Sequence, residues 1–179
     1  MGIVVRDKNG EYDIITGNQI GSIMEYYILT QKKEKNIMPK NPAIVKTIVT
    51  TNLQDDIANS FGIKIFNVLT GFKFIGQKIR EFEDDKSYNY VFGGEESYGY
   101  LTGTHARDKD AIAATLMISE IAAYLKNKNL TFISYLEEIY SKFGYYDEDT
   151  VSKTIKGLKG IEVIKSIMQN YREKKIEQI

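Results

Sequence analysis

One rhythm narrows what this chain can fold into more than any other feature: β-branched runs alternate with segments of helical apolar spacing. IVKTIVTT (44–51), IKIFNV (63–68) and YNYVFGG (88–94) read as strands. Between them, LQDDIANSFG (53–62) reads as a helix closed by Gly62. GFKFIGQKIREF (71–82) reads as another, with Phe72, Ile75 and Ile79 on one face. The helices DAIAATLMISEIAAYLKNK (110–128) and TFISYLEEIYSKFG (131–144) follow. This order predicts an α/β fold, a three-layer α/β/α domain around a mainly parallel, mixed sheet covered on both faces. In such sheets ligands collect at the carboxyl ends of the strands. Three loops are due there, at 50–52, 69–71 and 93–99.

The flanks complete the organisation. Ile3-Val4-Val5 and Tyr12–Ile15 surround Asn9-Gly10, a β-hairpin signal. Thr16 then suits the N-cap of a helix carrying Ile20, Ile23, Met24, Tyr27 and Ile28. After Tyr146 the character changes. A polar stretch of weak alternation (147–157) leads into the Lys-rich amphipathic segment 158–175. Residues 1–146 are read as one domain, and 147–179 as a strand–helix appendage.

Composition serves mainly to exclude. Lys plus Arg and Asp plus Glu both number 24, which disfavours a broad basic surface for nucleic acid. There is no cysteine, hence no disulfide framework and no thiolate metal site. MGIVVRDKNG lacks the cationic and apolar segments of a secretory signal. No stretch approaches the roughly 20 apolar residues of a membrane span. The reading is a cytoplasmic chain with neither nucleic acid nor membrane as partner.

Chemistry concentrates in GGEESYGY (93–100). Consecutive glutamates between glycines are unusual in a plain surface turn, which favours Asn, Asp and Pro. A ligand loop accounts for them better: a carboxylate accepts from two vicinal hydroxyls, and a serine both donates and accepts. Sugars present such hydroxyl pairs. Downstream, His105, Arg107 and Lys109 precede a helix start, which suits an anion site. A solvated charge run capped by Asp108 or Asp110 explains them equally well. His105 is the only histidine, and nothing local marks it as catalytic. GFKFIGQK (71–78) opens like a phosphate-binding loop but lacks its Gly-Lys-Ser/Thr ending. Asp55-Asp56, on a helix, and Asp84-Asp85, in a loop, are not read as metal ligands.

Taken with their flanks, these segments resemble the α-D-phosphohexomutases, the family of phosphoglucomutase and phosphomannomutase, over roughly residues 2–175. The likeness is to the third domain. It is carried by Gly-Glu-x-Ser-x-Gly at 94–99, Thr-Gly-aromatic-Lys at 70–73 and Arg-x-Lys-Asp at 107–110. The resemblance implies interconversion of hexose 1-phosphate and hexose 6-phosphate through a phosphoserine and a bisphosphorylated sugar. It implies Glu95 and Ser97 as sugar-hydroxyl ligands in a loop that includes Gly94. Glu96 falls on the variable position and is expected to stay off the sugar. Lys109 matches a lysine suggested to assist proton transfer or touch phosphate, with Arg107 beside it and His105 close by. Thr70 and Gly71 match the loop next to the sugar.

The departures matter too. Neither the family's serine nucleophile segment nor its Asp-x-Asp-x-Asp-Arg magnesium loop occurs in these residues. The expectation is therefore a fragment, inactive alone, that ends in an extension leading towards a fourth domain. Its partners would be the hexose phosphate and the missing domains of the same polypeptide. Magnesium and a hexose bisphosphate activator would belong to the whole enzyme, with no metal held by these residues. A stand-alone sugar-phosphate-binding or interaction module without catalysis is the alternative.

Overall fold

Strand-forming residues on both sides of Asn9-Gly10 pair as an antiparallel hairpin, β1 (Ile3–Arg6) with β2 (Tyr12–Ile15), in a computed structural model that describes residues 1–7, 9–149 and 154–173. Thr16 ends the hairpin and caps α1 (Gly17–Glu34). Its hydroxyl accepts the Gln19 backbone N–H while the Gln19 side chain accepts that of Thr16, so two orphan donors are satisfied reciprocally. The buried face of α1 carries Ile20, Ile23, Met24, Tyr27 and Ile28, the residues at helical spacing.

The main sheet has the order β4-β3-β5-β6, from β3 (Pro42–Thr47), β4 (Lys64–Val68), β5 (Asn89–Glu95) and β6 (Gly99–Thr102). β3 runs parallel to both β4 and β5, while β6 is antiparallel to β5. Helices α2 (Leu53–Ser60), α3 (Phe72–Asp85), α4 (Ala111–Asn127) and α5 (Phe132–Phe143) complete the first unit.

Side-chain alternation along the strands builds two cores. Ala43, Val45, Tyr90 and Leu101 face α3 through Phe72, Ile75, Ile79 and Phe82. Ile44, Val91, Phe92 and Tyr100 face α1, α2, α4 and α5. A register shift at Ala43/Ile44 lets both Val91 and Phe92 turn to the second side. The fold is a mixed sheet with helices on both faces.

Strand order and helix placement together position the site. β3 hands over to α2 on one face, and its neighbour β4 hands over to α3 on the other. Where adjacent parallel strands send their connections to opposite faces, a crevice opens at their carboxyl ends. Loops 48–52 and 69–71 border that crevice, and the end of β5 lies beside it.

Several elements differ from the sequence reading. β3 begins at Pro42 and stops at Thr47. The Thr50 N–H turns back onto the Thr47 carbonyl, and the Ile48 N–H reaches the Val68 carbonyl, so Ile48 and Val49 are exposed despite their β propensity. β6 was not anticipated at all. GGEESYGY is therefore the tip of a β5–β6 hairpin and not a loop entering a helix. α3 runs on to Asp85 and closes on Lys86 in the left-handed conformation, so Asp84 and Asp85 end a helix.

The chain divides into the units Met1–Asp147 and Glu148–Ile179. In the second, α6 (Leu158–Glu173) exposes Ile161, Ile164, Met168 and Tyr171 along its length. Residues 147–149 and 154–156 carry no strand, and the rest of the strand expected over 147–157 includes 150–153, outside the described residues.

Candidate functional site

Glu95, the last residue of β5, is 7% exposed, and both its oxygens are engaged. Oε1 accepts the Gly71 backbone N–H at 3.0 Å, and Oε2 accepts from Lys109 Nζ at 3.2 Å. One carboxylate thus draws together the β4–α3 loop, the hairpin tip and the segment before α4. Gly71 stands at the N-cap of α3 with φ 113°, where a Cβ would be strained and where no side chain caps the helix. Lys109 is half exposed and lies over the Phe72 ring. Each Glu95 oxygen retains a lone pair for a further donor.

Glu96 is tied down on the other side. Its Oε2 accepts from the hydroxyls of Thr47 and Thr50 at 3.2 and 3.4 Å. The variable position of the motif is therefore a strut to the β3–α2 loop. Ser97 is exposed, and its hydroxyl has no hydrogen-bond partner among the described residues. Tyr98 completes the tip with φ 63°, a left-handed conformation that a bulky residue keeps only when its surroundings dictate it.

The two glycines ahead of the carboxylates serve packing. A Cβ at Gly93 would lie 2.1 Å from the Val45 carbonyl oxygen, and one at Gly94 would lie 2.8 Å from the Tyr100 ring. Gly94 is buried beneath that ring. The Tyr100 hydroxyl donates to the Gly17 carbonyl at 2.7 Å, and burial pushes its pKa up, with Tyr98 and Glu96 adding to the shift. The start of α1 is locked to the hairpin in this way.

Among the expected cationic residues, only Lys109 reaches this group. The Arg107 guanidinium is taken up by Glu83 of α3 at 2.5 Å and by the carbonyls of Thr104 and Ala106. His105 Nε2 pairs with Asp110 Oδ2 at 2.8 Å. That partner also caps α4 through its other oxygen and is held below the usual carboxylate range, first by the His105 hydrogen bond. Thr70 is exposed beside Gly71. Sequence reasoning missed Thr47, Thr50 and Lys46. The signal was available, since a lysine directly after the apolar run Ala43–Val45, within a strand, demands a buried partner.

The family model described as "Phosphoglucomutase/phosphomannomutase, alpha/beta/alpha domain III" matches residues 16–143. The chain belongs to the phosphoglucomutase/phosphomannomutase family, as its third domain. A phosphoglucomutase of Staphylococcus aureus (strain N315) is 35% identical over 179 residues, covering all of this chain and 31% of the relative. The chain thus spans about a third of the length of the curated relatives it matches. Among solved structures, the open form of pp63/parafusin, a phosphoglucomutase from Paramecium, superposes with a TM-score of 0.56 at 28% identity, covering 74% of this chain and 22% of that one. The fold also matches Aspergillus fumigatus N-acetylphosphoglucosamine mutase in complex with GlcNAc-6P and magnesium. That match has a TM-score of 0.53 at 14% identity, over 76% of this chain and 30% of that one. Among the described residues, no three His, Asp or Glu side chains gather as a metal ion requires. No helix of the described residues is long and apolar enough to cross a membrane.

Proposed function

We propose that this chain is the sugar-holding domain of a phosphohexomutase that interconverts hexose 1-phosphate and hexose 6-phosphate. The observation that carries the reading is the convergence on Glu95. Its carboxylate is fixed by Gly71 and Lys109 at a switch-point crevice, with the unpartnered Ser97 hydroxyl two residues on. In this reading Glu95 accepts from paired sugar hydroxyls and Ser97 Oγ supplies a further contact. Lys109, already charge-paired with Glu95, offers its remaining N–H donors to a hydroxyl or a phosphate oxygen. Thr70 and Gly71 form the wall beside the sugar. Gly94 supports the site from beneath. Arg107 and His105 reach the ligand only by exchanging their present partners.

The phosphoserine transfer itself we assign to the rest of the polypeptide, because these residues contain neither the nucleophile segment nor the aspartate-rich loop of the family. Turnover by this chain alone is expected to be absent, and residues 147–179 are read as the lead into a fourth domain. Magnesium, named with the Aspergillus fumigatus relative, has no cluster to receive it among the described residues.

An NMR titration of the labelled chain with glucose 1-phosphate tests the reading, with glucose and inorganic phosphate as controls. Weak binding, of about millimolar affinity, is expected, equivalent to roughly 4 kcal/mol. Shifts should centre on 93–99 and vanish in Glu95→Ala and Ser97→Ala. Shifts elsewhere that survive both substitutions would instead favour an interaction module without catalysis.

A further inference from the structure

Beneath the hairpin tip lies a buried ion pair that the sugar-holding reading does not use. Lys46 is 1% exposed near the carboxyl end of β3, and its Nζ stands 2.9 Å from Asp55 Oδ2 on α2. The contact is one of charge, since its alignment does not make a hydrogen bond. Lys46 Nζ donates instead to the Thr50 carbonyl oxygen at 3.1 Å. An ammonium so deep has few conformations open to it, so it holds the 48–50 turn from below.

That turn brings the Thr47 and Thr50 hydroxyls within 2.8 Å of each other, and both are aimed at one oxygen of Glu96. The other side of the tip is closed by α1. A Cβ on Gly17 would fall 1.7 Å from the Glu96 carbonyl oxygen and 3.1 Å from the Tyr98 nitrogen. Glu96 is therefore tied by its side chain and packed at its backbone against α1. The residues that follow it are Ser97, with a free hydroxyl, and Tyr98, in the left-handed conformation.

We propose that Glu96 is a positioning residue: pinned by Thr47 and Thr50 on the Lys46–Asp55 anchor, it holds the hairpin tip in the form that presents Glu95 and Ser97 to a sugar. The proposal rests on the sugar-holding reading. It gives the second glutamate of the motif a role that needs no contact with ligand. Losing the strut frees the tip to relax at Tyr98, which turns the Ser97 hydroxyl away from Glu95.

Backbone ¹⁵N relaxation on the ligand-free chain reads this hold directly. Order parameters at 96–98 are expected near the rigid value of about 0.85 in the parent chain. Glu96→Ala should lower them towards about 0.6, and Thr47→Val with Thr50→Val should do the same. Combining all three changes should lower them no further, because they cut one link. Glu96→Gln keeps an oxygen acceptor for both hydroxyls and should retain the parent values, a rescue that general loss of packing would not show. Unchanged order in Glu96→Ala, or Glu96→Gln as mobile as Glu96→Ala, overturns the proposal. Glucose 1-phosphate titration of the same variants separates the two claims. Glu96→Ala is expected to need about tenfold more ligand for half-maximal shifts at Glu95 and Ser97, about 1.4 kcal/mol. Parent-like affinity in Glu96→Ala overturns the positioning role. A parent chain that binds no sugar, yet loosens at 96–98 in Glu96→Ala, defeats the sugar-holding reading and leaves the strut established.

Discussion

The Glu95 carboxylate accepts the Gly71 backbone N–H at 3.0 Å, and this bond reaches over the end of β3 to join the loops that follow β4 and β5. Three stretches far apart in sequence meet through it once Lys109 closes on the other oxygen.

Removing that carboxylate should loosen the whole edge. Glu95→Ala leaves the Gly71 N–H without its acceptor and is expected to cost about 1.5–3 kcal/mol, the range for hydrogen bonds to charged groups. Glu95→Gln keeps an acceptor and should cost less. Lys109 is half exposed, so Lys109→Ala should cost under about 1 kcal/mol. Urea unfolding of the three variants checks the order, and a Glu95→Ala chain as stable as its parent would contradict it.

Gly17 carries a steric demand. It opens α1 directly against the Glu96 carbonyl, where a methyl group has no space. Gly17→Ala is expected to lose about 1–3 kcal/mol as an overpacking change. The amide shifts of 95–98 should move with it, whereas a helix-propensity effect alone would stabilise the variant and leave those shifts in place.

Gly76 makes the same point on the opposite face. In the interior of α3 an alanine would ordinarily gain up to about 1 kcal/mol. Here a Cβ would lie 2.4 Å from the Arg107 carbonyl oxygen, which belongs to the segment that delivers Lys109. Gly76→Ala should therefore destabilise, and the Lys109 amide should shift although it lies outside α3. A stabilised Gly76→Ala chain would refute this.

Glu25 sets a pH dependence. It is fully buried on α1 with neither oxygen hydrogen-bonded, and its pKa is raised well above 4.5, first by burial and then by Asp55, against a lowering by Lys46. The folded chain keeps the proton that the unfolded chain releases above pH 4.5, so folding binds a proton and stability falls as pH rises through that range. Relative to Glu25→Gln, the parent chain should lose stability as pH rises above 4.5. Parallel urea midpoints for the two chains over that rise would refute the assignment.

Most of the architecture was legible because its signals are local. Thr16, Asp110 and Thr131 cap helices where polar acceptors precede apolar periodicity, and Gly62 and Gly144 close helices where only a left-handed residue fits. β6 was missed because Tyr100-Leu101-Thr102 is too short to show alternation, and only its pairing to Phe92–Glu95 makes it a strand. The end of β3 was overrun because Ile48 and Val49 carry β propensity, while a turn set by Thr50 and by the Val68 carbonyl overrides it.

The sequence by itself determined the layer order, the helix caps at Thr16, Asp110 and Thr131, and the Gly-Glu-x-Ser-x-Gly loop that marks the family. These rest on residue type and spacing within a dozen positions or so. Tertiary structure alone decided which charged side chains meet. It sent Lys109 to Glu95, Arg107 to Glu83, His105 to Asp110, and Glu96 to Thr47 and Thr50. Such pairings depend on where strand order brings distant loops together and on how little room glycines 17 and 76 leave between them. No pattern along one stretch of chain encodes that.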